Sequence, residues 1–232
     1  AILRILEQNQ SMARDELLEL SGASQSSIQS LLKRGYIRIE EEEIYRNPWS
    51  VVQTPTLPPE FNKEQTAASK IIGDCIRQGK GAILLHGVTG SGKTEVYMKA
   101  AEDALSQGRQ VIVLVPEISL TPQTVGRFKG RFGDRVAILH SRLSLGERYD
   151  EWRRIRSNEV QIVVGARSAV FAPLEHLGLI IIDEAHEDSY KSEVRPRYHA
   201  RDIAAKRCEL DEAVLVLGSA TPRTNTASSS SH

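Results

Sequence analysis

The spacing of apolar positions changes character near residue 60. Before it, Ile2, Leu3, Ile5 and Leu6, then Leu17, Leu18 and Leu20, then Ile28, Leu31 and Leu32 recur as on short amphipathic helices. Ser11 and Ser24 have the short hydroxyl side chains favoured at helix starts. Ser21-Gly22 breaks the second helix, and Gly35, after Lys33-Arg34, stops the third. Tyr36 to Ile39 and Ile44 to Arg46 then read as two strands around an acidic turn, Glu40 to Glu43. Three helices followed by a hairpin is the element order of a small winged-helix domain, expected over residues 1–47.

Residues 48–60 are expected to be an interdomain linker, because four prolines fall between Asn47 and Glu60 with no apolar period. From Phe61 onward, short apolar runs alternate with amphipathic segments. The runs are Ala82–His86, Val111–Val115, Val136–Leu139, Gln161–Val164, Leu179–Ile182 and Val214–Leu217. Runs with no polar alternation are strands buried on both faces, which predicts an α/β domain over 61–222: a parallel sheet with helices on both faces. The last ten residues, 223–232, are polar and Ser-rich and are expected to be a disordered or appended tail.

Composition narrows the function classes. The 232 residues are 40 % hydrophobic, enough for a sizeable core. Thirty basic residues cancel thirty acidic ones, so any nucleic-acid binding has to come from local basic patches. Cys75 and Cys208 stand far apart without a CxxC or a paired His, which argues against a zinc site or a disulfide framework. No apolar run nears the ~20 residues of a membrane span, and the first residues lack a signal-peptide apolar region. A cytoplasmic protein with no membrane partner is expected.

Gly87-Val88-Thr89-Gly90-Ser91-Gly92-Lys93-Thr94 satisfies the phosphate-loop pattern G-x-x-x-x-G-K-[ST], with an apolar strand before it and a helix from about Thr94 to Gln107 after it. Glycines let backbone N–H groups turn toward phosphate oxygens, and the helix N-terminus adds favourable partial charge. Lys93 is placed to bridge the β and γ phosphates of ATP, and the Thr94 hydroxyl to reach Mg2+. A second element, Leu179 to Ile182 followed by Asp183 and Glu184, delivers two carboxylates at the end of a buried strand. Asp183 is expected to hold Mg2+ and Glu184 to orient the attacking water.

Asp183-Glu184-Ala185-His186 together with Gly218-Ser219-Ala220-Thr221-Pro222 resembles the acidic box and the Ser-Ala-Thr motif of superfamily-two DEAH helicases. The resemblance implies a RecA-like P-loop motor lobe. It gives His186, Ser219 and Thr221 the task of linking nucleotide state to a DNA-binding surface. Phe61-Asn62-x-x-Gln65 resembles the family's adenine-reading motif, which implies Gln65 as the bidentate partner of the base ahead of the alternative, an ordinary surface Gln on a helix. A nucleotide kinase has no use for the 218–222 motif.

Further segments are similar to one branch, the bacterial primosomal protein N′ family of replication-restart helicases: Val115–Gln123, Leu139–Ser141, Gly165–Pro173 and Asp188–Asp202. The resemblance implies a first motor lobe whose Glu187–Asp202 loop senses single-stranded DNA. Tyr190 and Tyr198 would stack on bases there, and Lys191 and Arg197, with Arg195 and Arg201, would meet phosphates. Pro196 stands where some relatives carry a Trp, which removes one stacking platform. Ser119, Thr121, Gln123, Arg167 and Ser168 suit a backbone grip on the strand, though each hydroxyl could instead cap a helix. His140 reads better as a satisfied strand-end histidine than as a ligand. The resemblance also implies forked DNA, primosome proteins and single-stranded DNA-binding protein as partners, and a second lobe carrying an arginine finger and a zinc module. The ATP site would lie between the lobes, so this chain alone should bind nucleotide weakly and hydrolyse little. For the N-terminal domain, DNA binding and protein contact stay open, because Gln25–Lys33 is mostly Ser and Gln and offers little Arg for base readout.

Overall fold

A computed structural model describes residues 2–9, 14–39, 60–88 and 90–220. The chain forms two compact units, residues 1–44 and 45–232.

In the first unit, α1 (Ile2–Asn9), α2 (Arg14–Ser21) and α3 (Gln25–Lys33) bring Ile2, Leu17 and Ile28 into one small core. Gly22 and Gly35 take left-handed backbone angles, φ 61° and 70°, and each turns the chain out of its helix. Ser24 precedes α3 with extended backbone, but its hydroxyl meets those of Ser26 and Ser27 at 2.7 and 3.1 Å and caps no backbone N–H. Ser11 lies outside the described residues. Tyr36–Ile39 carries no strand, contrary to expectation; a strand needs a ladder partner, and the proposed one, with the acidic turn and the linker to residue 59, falls outside the described residues.

The second unit opens with α4 (Lys63–Gln78), β1 (Gly81–His86), α5 (Lys93–Ser106), β2 (Gln110–Leu114), α6 (Pro122–Phe132) and β3 (Val136–Leu139). It continues with α7 (Leu145–Arg156), β4 (Ile162–Gly165) and β5 (Leu177–Ile182), then a short ribbon of β6 (Lys191–Ser192) and β7 (Tyr198–His199), and ends with α8 (Ala200–Leu210) and β8 (Val214–Ser219). Six strands pair in the order β1-β8-β5-β2-β4-β3, all parallel. The six expected runs are these six strands.

Alternate residues of each central strand enter different cores. Val111, Val113, Leu179 and Ile181 pack with Ile72 and Ile76 of α4, Tyr97 and Ala101 of α5, and Val125 and Phe128 of α6. Ile112, Leu114, Ile180 and Ile182 pack on the other face with Ile155 of α7 and Ala200, Ala204 and Cys208 of α8. Coverage of both faces is why these strands contain no polar alternation. Parallel pairing also gathers every strand's C-terminal end along one edge, where ligands of open α/β sheets bind.

Candidate active site

Three neighbouring strand ends build the site. In the ladder His86 of β1 lies beside Ser219 of β8, and Leu217 of β8 beside Ile182 of β5. The phosphate loop leaves β1 and is tied at once to β8, the Gly87 N–H donating to the Ser219 carbonyl at 3.1 Å. Gly90 and Gly92 both sit at φ 82°, left-handed positions that a side chain rarely takes. Lys93 opens α5. Its ammonium donates to the Gly87 carbonyl at 2.6 Å and lies 3.5 Å from Glu184 Oε1. Thr94 is in the same first helical turn, and Thr89 lies outside the described residues.

Gln65 approaches this loop from α4. It closes a capping box, Oε1 accepting from the Asn62 N–H at 3.0 Å, while Nε2 donates to the Ser91 carbonyl at 3.0 Å. One acceptor and one donor position of the amide are therefore used by the protein; pairing with a base draws on those that remain or displaces these.

The acidic pair faces the loop. Asp183 continues β5, its N–H donating to the Leu114 carbonyl at 2.8 Å, and its Oδ1 accepts from the Tyr97 hydroxyl at 2.9 Å. Burial pushes the Asp183 carboxyl above the usual carboxylate range, while the Tyr97 hydroxyl and the Lys93 charge pull it back. Glu184 takes φ 44°, a left-handed angle that costs a non-glycine residue on the order of 1 kcal/mol and that accompanies the sharp turn off the strand. Its Oε2 accepts from the Ala220 N–H at 3.3 Å, and the next residue, Ala185, donates to the Gly218 carbonyl at 2.7 Å. His186 Nδ1 stands 3.2 Å from Ser219 Oγ and 3.6 Å from Glu184 Oε2. The expected coupling pair, His186 and Ser219, is thus in contact; Thr221 lies outside the described residues.

The donor set fits one kind of metal. Among the described residues no group of three or more His, Cys, Asp or Glu could hold an ion by itself. One half-buried carboxylate and one hydroxyl suit Mg2+, which usually keeps waters and takes the rest of its shell from nucleotide phosphates.

The loop after the acidic box corrects one expectation. Tyr190 is 1 % exposed, so it offers no stacking face. Its hydroxyl donates to the Asp183 carbonyl at 2.5 Å and also reaches the Leu114 carbonyl at 3.2 Å, and burial holds the phenol well above its ordinary pKa. A ring in that position fills core space between β2, β5 and the loop. Tyr198 is half-buried and meets Phe171 edge to face at 5.0 Å, while Lys191, Arg195 and Arg197 are exposed and Arg201 partly so. Arg167, after β4, donates to the Lys191 carbonyl at 2.6 Å and so ties this loop to the strand edge. Ser168 follows on the same turn and is exposed; Ser119, Thr121 and Gln123 follow the neighbouring β2. Thr121 caps α6, its hydroxyl accepting from the Thr124 N–H at 3.3 Å. His140 is a strand-end histidine, Nδ1 accepting from the Arg142 N–H at 3.1 Å.

Sequence reasoning passed over Tyr97. It falls on the inward face of α5 with Ala100, Ala101 and Ala104, and a hydroxyl on a core face signals that a partner is waiting. The motif spacing could not say that the partner was Asp183.

These features, a phosphate loop and an acidic box at the ends of two strands that flank β8 in a parallel sheet, define a P-loop ATPase lobe. A model of the DEAD/DEAH box helicase family matches residues 63–229, and the chain belongs to that family. Membership implies use of ATP with Mg2+. Over most of its length the chain is similar to the replication restart protein PriA of Bacillus subtilis, 53 % identical over 209 residues covering 89 % of this chain and 26 % of that protein. PriA of Synechocystis sp. is 49 % identical over 210 residues, covering 89 % of this chain and 25 % of that protein. The chain therefore spans about a quarter of the length of these relatives. Among solved structures, RecG bound to a three-way DNA junction superposes with a TM-score of 0.54 at 25 % identity, over 72 % of this chain and 22 % of that one. The Hef helicase domain of Pyrococcus furiosus, with a TM-score of 0.52 at 22 % identity over 69 % of this chain and 33 % of that one, shares the fold. The second unit is a RecA-like lobe.

Proposed function

We propose that this chain supplies the first motor lobe of an ATP-dependent DNA helicase that acts at stalled replication forks, with residues 1–47 forming a winged-helix domain and 48–60 a linker. The observation that carries the proposal is the direct wiring of the nucleotide site to the Ser-Ala-Thr segment. Glu184 touches Lys93 on one side and the Ala220 N–H on the other, with His186 on Ser219 beside it. Similarity to PriA over 89 % of the chain supports the replication-restart role.

Lys93 is held by the Gly87 carbonyl and Glu184. When ATP binds, the ammonium transfers to the β and γ phosphates, and Glu184 is released to orient a water in line with the γ-phosphate. Thr94 and Asp183 would hold Mg2+, which would neutralise charge on the phosphates. Any change in Glu184 is felt at Ala220 and, through His186, at Ser219. Ser119, Thr121, Gln123, Arg167 and Ser168 grip one DNA strand along the sheet edge, and Lys191, Arg197 and Tyr198 extend that grip over the loop. Tyr190 reports loop position to the Asp183 backbone from inside the core. A second lobe, with its zinc module, would complete the ATP site. Primosome proteins and single-stranded DNA-binding protein would be partners in a bacterial cytoplasm.

ATP hydrolysis by this chain, with and without forked DNA, beside the same chain extended through a second motor lobe, tests the proposal. DNA-stimulated turnover by the extended chain only is the expected result. Robust DNA-stimulated turnover by the isolated chain overturns the two-lobe mechanism. In the extended chain, Glu184→Gln should bind ATP and turn it over slowly; retained turnover moves the water-orienting role elsewhere.

A further inference from the structure

Helix α5 touches both members of the acidic pair. Lys93 and Tyr97 stand four residues apart, hence on one face of the helix, one turn above the other. The ammonium of Lys93 lies 3.5 Å from Glu184, and the hydroxyl of Tyr97 donates to Asp183 Oδ1 at 2.9 Å. The Tyr97 ring is 2 % exposed on a helix whose other buried residues are Val96, Met98 and alanines. A hydroxyl buried there without a partner would carry an uncompensated desolvation penalty, so phenylalanine would be the ordinary choice unless the O–H had a task.

A second observation comes from β8. A Cβ built on Gly218 would collide with the Tyr97 hydroxyl, with the ring carbon behind it at 2.9 Å and Asp183 Oδ1 at 3.1 Å. Gly218 carries no positive φ, so its backbone does not require glycine. What requires glycine is the space taken by a tyrosine hydroxyl on its way to the carboxylate.

We propose that Tyr97 is a positioning residue for the metal-binding carboxylate, its hydroxyl holding Asp183 in the rotamer that receives Mg2+ with ATP, and that Gly218 is the notch through which it reaches. The carboxylate takes this O–H, which leaves acceptor capacity for the ion or its waters. The inference rests on the nucleotide-site reading above and deepens it.

The test is ATP binding by this chain extended through a second motor lobe, followed calorimetrically while Mg2+ is titrated, for the unsubstituted chain, Tyr97→Phe, Gly218→Ala and the double variant. Tyr97→Phe keeps the ring and the fold, and should raise the Mg2+ midpoint roughly tenfold, the worth of one hydrogen bond to a charged group, while ATP affinity in EDTA changes little. Gly218→Ala should shift the midpoint at least as far. The double variant should fall well short of the two single shifts combined, because once the hydroxyl is gone the severest clash is relieved and the added methyl meets only the ring carbon at 2.9 Å and Asp183 Oδ1 at 3.1 Å. An unchanged midpoint in Tyr97→Phe overturns the proposal. So does a Gly218→Ala shift that is equally large with and without the hydroxyl. If the unsubstituted chain binds no ATP, or binds it with no response to Mg2+, the nucleotide-site reading falls first and takes this inference with it.

Discussion

Replacing Tyr190 separates two pictures of the loop that follows the acidic box. If Tyr190 were a surface platform for bases, its removal would cost DNA affinity and leave stability within about 0.5 kcal/mol. The structure gives it instead a ring that is 1 % exposed and a hydroxyl shared between the Asp183 and Leu114 carbonyls. Tyr190→Phe loses only the hydroxyl and should cost about 1–2 kcal/mol, the value of a buried hydrogen bond plus part of the desolvation left behind. Tyr190→Ala empties the ring's volume between β2 and β5 and should cost about 3–5 kcal/mol. In a unit of this size each kcal/mol moves the melting temperature by about 2–4 °C. The phenylalanine variant should therefore melt about 2–8 °C lower, and the alanine variant lower again. Circular dichroism at about 222 nm, where helix signal dominates, measures both when scanned against temperature. A Tyr190→Ala chain that melts within about 1 °C of the unsubstituted protein would refute the buried-post reading, whatever happened to DNA binding, because that is the size of shift expected of an exposed side chain.

Other consequences follow from the same geometry. Lys93→Ala should reduce ATP affinity by about tenfold or more in calorimetry, since it removes the main cation on the β and γ phosphates; unchanged affinity would remove the phosphate loop from the nucleotide site. Asp183→Asn should raise the melting temperature of the nucleotide-free chain while abolishing its response to Mg2+. The sign follows from burial: the folded-state pKa is raised above the ordinary 3.8, so the native chain holds its proton more tightly. Stability is full below 3.8 and is lost as pH rises through the folded value, and the ionised group remains a cost at neutral pH. An asparagine variant that melted lower at neutral pH would count against it. Lys191→Ala with Arg197→Ala, in a chain extended through a second lobe, should leave ATP binding intact and flatten the salt dependence of single-strand binding by about 0.7 per lost phosphate contact; an unaltered salt slope would make the loop ordinary surface. Burial pushes the Cys208 thiol up to about 12, so a thiol reagent at mildly alkaline pH should leave Cys208 unmodified until the chain is denatured.

Much of the lobe was readable in advance because its signals are local. The decisive case is Leu179 to Ile182, where covering helices on both faces erase polar alternation and leave a short apolar run that marks a central strand. Gly90, Gly92 and Lys93 were legible for the same reason: phosphate binding by a loop needs them within a few residues of each other. Tyr190 misled because a loop has no period, so an aromatic there gives no sign of which way it points. Tyr97 was missed because its partner lies 86 residues along the chain, and only the β1-β8-β5 strand order brings the two together. Gln65 combined both difficulties. Its spacing suggested a base contact, while its amide also closes the α4 capping box and reaches the phosphate loop.

The placement of β8 has a consequence for how the lobe is made. Among the described residues it is the last strand in the chain order, yet it sits between β1 and β5, and it is the only strand of the sheet to which β1 is hydrogen-bonded. During synthesis β1 and its phosphate loop leave the ribosome more than a hundred residues before the strand that secures them. Long-range parallel pairing of this kind is slow to form, because a large loop must close before any contact rewards it. The lobe thus acquires its nucleotide pocket only after β8 has been made. A nascent chain halted before residue 214 would hold a loose strand where the pocket belongs, and ATP could stabilise only molecules in which the sheet had been finished.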